Sequence, residues 1–269
     1  MRVVLTVAGS DTSAGAGIQQ DLKTITALGQ YALTVPTALT AQNTVGVRAV
    51  MPVPEVMLGE QLDAVMEDFE IDAVKIGMLP ELFSARVVVE RLRGLGVPVV
   101  CDPVMVSTSG TVLMSGECRG YVVENLFPLC ALVTPNIPEA LCLAKMLGGV
   151  GEGVDLVSLG WDLVRGLGTS VLLKGGHGEG EVMRDLLFRS EGGDVLEFAS
   201  PRVSTRNLHG TGCTLSSAVA ACLAVGLPLE AAVERAKAVV DGGIRNAVNL
   251  RLGRGNGALW VEPQVVVQP

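Results

Sequence analysis

The stretch VVLTVAGSDTSAGAGIQQDL, residues 3–22, consists of an apolar run, a glycine-rich loop and the start of an amphipathic segment. The run at 3–8 is rich in β-branched residues, which is typical of a buried strand. Beyond the loop at 9–17, apolar side chains recur at helical spacing: Ile18, Leu22, Ile25 and Leu28. A strand followed at once by a helix predicts the first part of a βαβ unit.

The same alternation of strand-like and helical segments continues along the chain. Further apolar runs occur at residues 33–39, 73–77, 97–102, 131–136 and 170–176. Segments of helical period separate most of these runs, which predicts a mainly parallel sheet. Because the runs are almost continuously apolar, helices should cover both faces of the sheet. We therefore predict the α/β class, as a three-layer α/β/α sandwich with a mainly parallel central sheet.

The last third of the chain departs from this alternation. Residues 181–199 form two alternating runs joined by a turn that contains glycine, which predicts an antiparallel hairpin at an edge of the sheet. From residue 211 the pattern is helical to about residue 248, with a break at 226–228. No repeat, linker or low-complexity segment divides the sequence. We expect a single domain over residues 1–269, with a tail from about residue 258 whose structure the pattern leaves open.

Composition disfavours several classes of function. The formal net charge is −8 and no block of basic residues occurs, so charge alone would not hold nucleic acid or an anionic membrane surface. No apolar run approaches the roughly 20 residues of a membrane-spanning helix, and residues 2–8 are too short for a secretory signal. We therefore expect a cytoplasmic protein. The six cysteines include no C-x-x-C pair and only two histidines are present, which leaves few ligands for a zinc site.

Polar side chains stand where several predicted strands end, which is where open parallel sheets bind their ligands. Asp102 follows one apolar run directly, and Asn136 and Glu139 stand three residues apart where a helix should begin. Helix capping explains that spacing, but together with Asp102 it favours a magnesium site with bound water. Lys174 closes another run and is a candidate for a nucleotide phosphate, the alternative being a lysine that reaches solvent from a buried stem. Asp21 borders the buried side of the first helix, where it either complements the helix dipole or binds a polar substrate.

The stretch GTGC, residues 210–213, opens the long helical segment near the C-terminus. No P-loop motif occurs, and GTGC lacks the third glycine of a dinucleotide-binding fingerprint. Free backbone N–H groups at a helix start suit the charge on a transferring phosphoryl group. The same positive end should lower the pKa of a thiol, which makes Cys213 a candidate base at neutral pH. Three further cysteines are expected to be small buried hydrophobic side chains: Cys130, Cys142 and Cys222.

A set of motifs occurs in one order along the chain: VAGSDTSAGAGIQQDLKT, TALTAQNTVGV, KIGML, DPVM, TPNIPEA, KGGH and HGTGCTLSSA. Their order and spacing resemble those of the ribokinase superfamily, and most closely the hydroxymethylpyrimidine and phosphomethylpyrimidine kinases of thiamine biosynthesis. The resemblance implies a ribokinase-like fold and phosphorylation of a hydroxymethyl group on an aminopyrimidine, dependent on ATP and Mg²⁺. It also implies a second phosphorylation, of the monophosphate, in the same site, and a homodimer.

The resemblance further implies a role for each candidate residue. The pyrimidine pocket would be lined by Gly9, Asp21, Gln42, Met78 and Val104. The anion hole would be formed by Gly210, Thr211 and Gly212, with Cys213 in the place of the catalytic base. Magnesium and its water would be ordered by Asp102, Asn136 and Glu139, with Lys174 near the ATP phosphates.

Two other functions share some of these features. A pyridoxine or pyridoxal kinase would have the same fold and a similar substrate, but Gln42 and Met78 favour the aminopyrimidine. An amide can both donate and accept a hydrogen bond at the ring edge, and methionine packs well on a flat ring. A non-catalytic vitamin-binding protein would be expected to have lost the anion hole or the metal cluster, and the sequence keeps both motifs.

Overall fold

The computed structural model describes residues 1–106, 110, 112–149, 155–175 and 180–263. Within these residues, nine strands form one sheet. In chain order they are β1 (Val3–Ser10), β2 (Tyr31–Asn43), β3 (Gly46–Pro52), β4 (Ala73–Ile76), β5 (Val99–Cys101), β6 (Leu132–Val133), β7 (Ser170–Leu173), β8 (Val182–Phe188) and β9 (Leu196–Pro201).

The centre of the sheet is parallel and its edges are antiparallel. The spatial order is β3-β2-β1-β4-β5-β6-β7-β8-β9. Neighbouring strands from β2 to β7 run parallel, whereas β3 at one edge and β8 and β9 at the other run antiparallel to their neighbours. The predicted mainly parallel sheet and the predicted hairpin at 181–199 are thereby confirmed. The chain places β2 on one side of β1 and β4 on the other, so a topological switch point lies at the carboxyl ends of these strands.

Helices cover both faces of this sheet, which confirms the three-layer sandwich. Those described are α1 (Gly17–Ala27), α2 (Glu55–Asp68), α3 (Leu82–Leu92), α4 (Gly116–Tyr121), α5 (Ile137–Met146), α6 (Leu156–Leu167), α7 (Thr211–Ala224) and α8 (Leu229–Ala247). Leu5 and Val7 of β1 enter a core shared with α2, α3, α5 and α6, whereas Val4 enters a core shared with α1, α7 and α8. Because successive β1 residues are buried on opposite faces, the strand is continuously apolar.

The helix α7 is the most enclosed element on its face. It packs against α1, α8 and the strands β1, β4 and β5, and small side chains such as Ala218 and Ala220 are fully buried. The predicted helical break is observed, since α7 ends at Ala224 and α8 begins at Leu229. No helix in the described part of the chain is both long and apolar enough to cross a membrane.

Candidate active site

The carboxyl ends of the parallel strands meet the first turn of α7. Asp102 follows β5, and Lys174 follows β7. A Cβ atom added to Gly212 would lie 2.9 Å from Asp102 Oδ2 and 3.4 Å from Lys174 Nζ. The structure thus brings together predicted residues from distant parts of the sequence. We call Asp102, Glu139, Lys174 and residues 210–213 the phosphate end of the site.

Asp102 and Lys174 form an ion pair at this end. Lys174 Nζ donates to Asp102 Oδ1 across 2.6 Å, and the Thr134 hydroxyl donates to the same oxygen across 3.2 Å. The two side chains are only 4% and 15% exposed, respectively. Burial by itself would lower the pKa of Lys174, but the carboxylates of Asp102 and Glu139 outweigh burial and raise that pKa. Lys174 therefore stays cationic and can bind a phosphate.

The start of α7 requires glycine at Gly210. This residue is the N-cap of α7 and adopts a left-handed φ of 85°, and a side chain there would overlap the carbonyl oxygen of Gly15. N–H groups in the first turn of a helix have no partner within the helix. Of the predicted anion hole, Thr211 N already donates to the Leu208 carbonyl across 3.3 Å. The N–H of Gly212, beside the ion pair, is therefore the best placed of the three for an anion.

Asn136 and Glu139 form a capping box at the start of α5. Glu139 N donates to Asn136 Oδ1 across 2.9 Å, and Asn136 N donates to Glu139 Oε2 across 2.8 Å. The capping alternative thus describes Asn136, whose side-chain oxygen accepts one hydrogen bond at the helix start and keeps one lone pair for water around a metal. Glu139 is 7% exposed, and burial raises the pKa of its carboxyl to about 7, with Lys174 opposing and Asp102 reinforcing the shift.

The donor set at the phosphate end consists of two carboxylates, Asp102 and Glu139. Among the described residues, no group of three or more histidine, cysteine, aspartate or glutamate side chains is placed to hold a metal. Mg²⁺ usually binds proteins through one or two carboxylates and completes its shell with water and substrate phosphates. The residues present therefore fit Mg²⁺ as a partner of bound nucleotide.

Cys213 lies in the first turn of α7 and is partly buried. Burial raises the pKa of its thiol to about 11; Lys75 opposes this shift, and Asp21 and Asp102 add to it. The prediction that the helix lowers this pKa is therefore wrong for the ligand-free protein, because desolvation outweighs the helix dipole. At neutral pH the free protein carries a Cys213 thiol.

Asp21 is enclosed inside the molecule. Its side chain is 0% exposed, and its oxygens accept hydrogen bonds from Thr6 Oγ1 at 2.6 Å, Lys75 Nζ at 2.7 Å and Ser217 Oγ at 2.7 Å. A carboxylate enclosed in this way has no face left for a ligand, so the predicted contact with the pyrimidine does not fit the structure. Asp21 instead joins α1 to β1, β4 and α7.

Its partner Lys75, in the middle of β4, is also 0% exposed and was not among the predicted site residues. Burial would lower the pKa of Lys75, but Asp21 outweighs burial and raises it. One signal was present in the sequence, since a lysine inside the apolar run 73–77 must have a buried partner.

Three predicted pocket residues lie side by side at the ends of adjacent strands. Gly9 is the last but one residue of β1, Met78 follows β4 and Val104 follows β5, and these strands are neighbours in the sheet. A Cβ atom on Gly9 would lie 2.8 Å from Met78 Sδ. The Thr37 hydroxyl donates to the Met78 carbonyl across 2.6 Å and fixes this turn. With Gln42, these residues make up what we call the ring end of the site.

Gln42 lies near the end of β2, where its side chain meets His209. Gln42 Nε2 is 3.2 Å from His209 Nε2, and the same ring nitrogen is 2.8 Å from Asp11 Oδ2. Asp11 also accepts hydrogen bonds from the backbone N–H groups of Ser13 and Ala16 and so shapes the glycine-rich loop. His209 and Asp11 were not among the predicted site residues, although His209 directly precedes GTGC.

Another buried acid, Asp185 on β8, holds the backbone beside Lys174. Gly175 N donates to Asp185 Oδ1 across 2.9 Å, and Lys237 Nζ of α8 donates to Asp185 Oδ2 across 2.6 Å. The edge hairpin thus positions the phosphate end, a role that its sequence pattern did not indicate. Residues 176 and 177 of the KGGH motif lie outside the described residues.

The C-terminal segment returns to the site. Asn256 N donates to the Thr44 carbonyl across 2.9 Å, and Leu259 N donates to the His209 carbonyl across 3.3 Å. A side chain at Gly257 would overlap Asn207. Residues 256–259 therefore tie the turn between β2 and β3 to the loop that carries His209. The last residues of the tail, 264–269, lie outside the described residues.

Comparison with known proteins finds relatives that match most of the chain. The phosphomethylpyrimidine kinase family model matches residues 11–260. A hydroxymethylpyrimidine/phosphomethylpyrimidine kinase of Rhizobium meliloti is 44% identical and covers 95% of each chain. The crystal structure of a phosphomethylpyrimidine kinase from Clostridium difficile is 38% identical, covers 91% of this chain and 100% of its own, and superposes with a TM-score of 0.76. A Staphylococcus aureus pyridoxal kinase in complex with AMP-PCP and pyridoxal is 29% identical, covers 96% of this chain and 93% of its own, and has a TM-score of 0.84.

Proposed function

This chain belongs to the phosphomethylpyrimidine kinase family, and from that premise we propose how its site works. It is a phosphotransferase of thiamine biosynthesis that phosphorylates hydroxymethylpyrimidine and then the resulting monophosphate. We propose ATP as the phosphoryl donor, since a structural relative binds the ATP analogue AMP-PCP.

The observation that carries this mechanism is the contact between the first turn of α7 and the Asp102–Lys174 pair. In the reaction, the substrate hydroxyl oxygen forms a bond to the γ-phosphorus while the bond from that phosphorus to the bridging oxygen of ADP breaks. Phosphoryl transfer depends mainly on positioning and on stabilising the charge that spreads over the phosphoryl oxygens. Lys174 and the N–H groups at 210–213 are placed to supply that stabilisation.

Cys213 is the residue we propose to receive the hydroxyl proton. Its position in the first turn of α7, beside the phosphate end, supports this role. Its ligand-free pKa of about 11 means that few molecules carry a thiolate at neutral pH. Because the proton is needed only late in a loose transition state, a high pKa slows the reaction without preventing it.

Asp102 and Glu139 are the residues we propose to hold Mg²⁺, partly through water. When bound, the cation would neutralise charge on the β- and γ-phosphates. Asp102 Oδ1 accepts from Lys174 and Thr134, which leaves Oδ2, the oxygen nearest Gly212, for this contact. Asn136 would also act indirectly, because its backbone N–H donates to Glu139 Oε2 and orients that carboxylate.

A product assay by mass spectrometry tests the function. Purified protein with ATP and Mg²⁺ is given hydroxymethylpyrimidine, its monophosphate and pyridoxine in parallel. We expect the monophosphate and then the diphosphate of the pyrimidine, with pyridoxine converted at least about tenfold more slowly, as expected when one hydrogen-bonded contact of about 1.4 kcal/mol is lost. Faster conversion of pyridoxine would instead identify a pyridoxine kinase. Tight binding of the pyrimidine without product would identify a non-catalytic binding protein.

We also propose that the chain forms one domain over residues 1–269, is cytoplasmic and acts as a homodimer. A single sheet that runs from Val3 to Pro201 supports the first proposal. For the homodimer, Leu39 of β2 and Met51 of β3 form a cross-strand pair, and both side chains are exposed. An exposed apolar pair on an edge hairpin is a surface that a second copy can cover. Light scattering of the eluted protein would give the mass of a dimer if this is right.

A further inference from the structure

The ring end contains two hydrogen-bond conflicts that involve one side chain, Gln42. Its Nε2 atom lies 3.2 Å from His209 Nε2, which is itself 2.8 Å from Asp11 Oδ2. Its Oε1 atom lies 3.4 Å from the Thr40 hydroxyl oxygen, which is 2.8 Å from the Ser10 carbonyl oxygen. Each of these neighbours already donates its single hydrogen to another acceptor.

Asp11 determines where the hydrogen on His209 Nε2 points. Burial would raise the pKa of Asp11, but hydrogen bonds from His209 and Ser13 outweigh burial and lower it, so Asp11 is a carboxylate. A carboxylate oxygen 2.8 Å from a ring nitrogen requires a hydrogen between them. His209 Nε2 therefore donates to Asp11 and cannot accept a hydrogen bond from the Gln42 amide nitrogen.

Thr40 determines the other contact. Its hydroxyl has one hydrogen, and the Ser10 carbonyl, which is only an acceptor, takes it. The Thr40 oxygen can then accept a hydrogen bond but has no hydrogen to give to Gln42 Oε1. The two conflicts are independent, and a half-turn of the Gln42 amide about its last bond removes both.

We infer that the Gln42 amide is held with its oxygen toward His209 Nε2, where it shares the hydrogen that this nitrogen donates to Asp11, and with its nitrogen toward the Thr40 hydroxyl oxygen. His209, fixed by Asp11, is then the positioning residue that sets this orientation. This inference rests on the proposed function, because it concerns recognition of the same aminopyrimidine. In this orientation the amide still has one lone pair and one N–H for a ligand.

The order of these two groups matches the substrate. In 4-amino-5-hydroxymethyl-2-methylpyrimidine, the amino group lies between the hydroxymethyl carbon and the neighbouring ring nitrogen. The substrate's hydrogen-bond donor, the amino group, is therefore nearer the reacting hydroxyl, and its acceptor, the ring nitrogen, is farther away. Because His209 directly precedes Gly210, the N-cap of α7, we take the side of Gln42 that faces His209 as the side nearer the phosphate end. An amide oxygen on that side accepts from the amino group, and the amide nitrogen donates to the ring nitrogen. Pyridoxine has no amino group at this position, so the orientation also favours the pyrimidine over pyridoxine.

The test is a double-mutant cycle on binding. His209→Leu removes the donor, His209→Gln keeps an N–H at the end of a side chain of similar reach, and Gln42→Leu removes the amide. For each variant and for His209→Leu/Gln42→Leu, Kd for hydroxymethylpyrimidine is measured by calorimetry, together with turnover and KM for ATP. Thermal unfolding of every variant shows that it is folded.

We expect His209→Leu to raise Kd for the pyrimidine about tenfold, as for loss of one hydrogen-bonded contact, while KM for ATP changes less than about twofold. His209→Gln should recover part of the affinity, and His209→Leu should cost almost nothing more once Gln42 is leucine. Additive effects of the two leucine substitutions, or equal losses in the leucine and glutamine variants, would overturn the inference. If the wild-type protein bound the pyrimidine without turnover, the proposed function would be contradicted. The Kd values of the double-mutant cycle would still decide whether His209 orients Gln42.

Discussion

At the phosphate end of the site the functional side chains are ionisable and buried, whereas at the ring end the proposed ligand contacts are uncharged. Lys174 and Asp102 neutralise each other across 2.6 Å before any nucleotide is present. Gln42 has no charge, and the orientation of its amide depends on Thr40 of its own strand and on His209 of the loop before α7. The difference indicates that charge stabilisation is built on the rigid ends of strands, while specificity depends on a contact between β2 and a loop.

The Lys75–Asp21 pair is a third cluster of buried charge, behind the two ends of the site. Substituting its residues tests whether this buried charge stabilises the fold. In Lys75→Met, Asp21 keeps its charge in the core without an ionic partner, so we expect the free energy of unfolding to fall by about 3–5 kcal/mol. Asp21→Leu in the same protein should restore much of the loss. Urea unfolding measures both variants.

The exposed pair Arg2–Asp72 provides the control, because Arg2 is 59% exposed. Arg2→Met should cost less than about 1 kcal/mol. If Lys75→Met cost no more than Arg2→Met, the buried pair would not be the structural link that we describe.

The geometry of the phosphate end can be broken at Gly210. Alanine there must adopt a left-handed φ and also displaces the Gly15 carbonyl, so the first turn of α7 should move away from the phosphate. We expect kcat to fall about 10²–10³-fold, the effect of removing one donor to a developing oxyanion. Gly226→Ala is the matched control, because Gly226 has φ 83° with nothing within 4 Å of an added Cβ. A similar loss of kcat in both variants would show that backbone strain alone is responsible.

Cys213 tests whether the phosphate end also contains a base. Cys213→Ala should lower kcat about 10²-fold or more, as for loss of a general base, with little change in Kd for the pyrimidine. Because the thiol pKa is about 11 in the free protein, wild-type kcat/KM should rise with pH between 7 and 9. That slope should be absent in Cys213→Ala. Parallel pH profiles in the two proteins would assign Cys213 to packing.

The buried carboxyl of Glu139 should make the stability of the protein depend on pH. Its folded pKa of about 7 lies above the ordinary 4.5, so the folded state favours the neutral carboxyl. This preference stabilises the folded state fully below pH 4.5. As the pH rises to 7, the stabilisation is lost and the free energy of unfolding falls by at most about 3 kcal/mol. Glu139→Gln, which keeps a capping residue, should lack this decline. Urea unfolding at pH 4.5 and 7.5 gives the free energy of unfolding of the two proteins. If this energy changed equally with pH in both, Glu139 would be ionised in the folded protein.

Sequence patterns predicted the sheet and the phosphate end for the same physical reason. Parallel strands converge at their carboxyl ends whatever their side chains, so Asp102 and Lys174 could be placed together from the chain alone. The strand β3 was not predicted, because none of residues 46–52 is buried and their pattern does not resemble a core strand. The pairs Lys75–Asp21 and His209–Asp11 are separated by 54 and 198 residues, and no local pattern links such partners. The raised pKa of Cys213 depends on burial, which motif spacing does not reveal.

The hydrogen bonds made by residues 256–259 determine when the site can be completed during synthesis of the chain. A ribosome makes the chain from its N-terminus, so every strand of the sheet and the whole of α7 leave the exit tunnel before Asn256 and Leu259 do. Until then the turn at Thr44 and the loop that carries His209 lack their common anchor. A nascent or truncated chain that stops before this point can complete its sheet, but not the frame around its vitamin precursor.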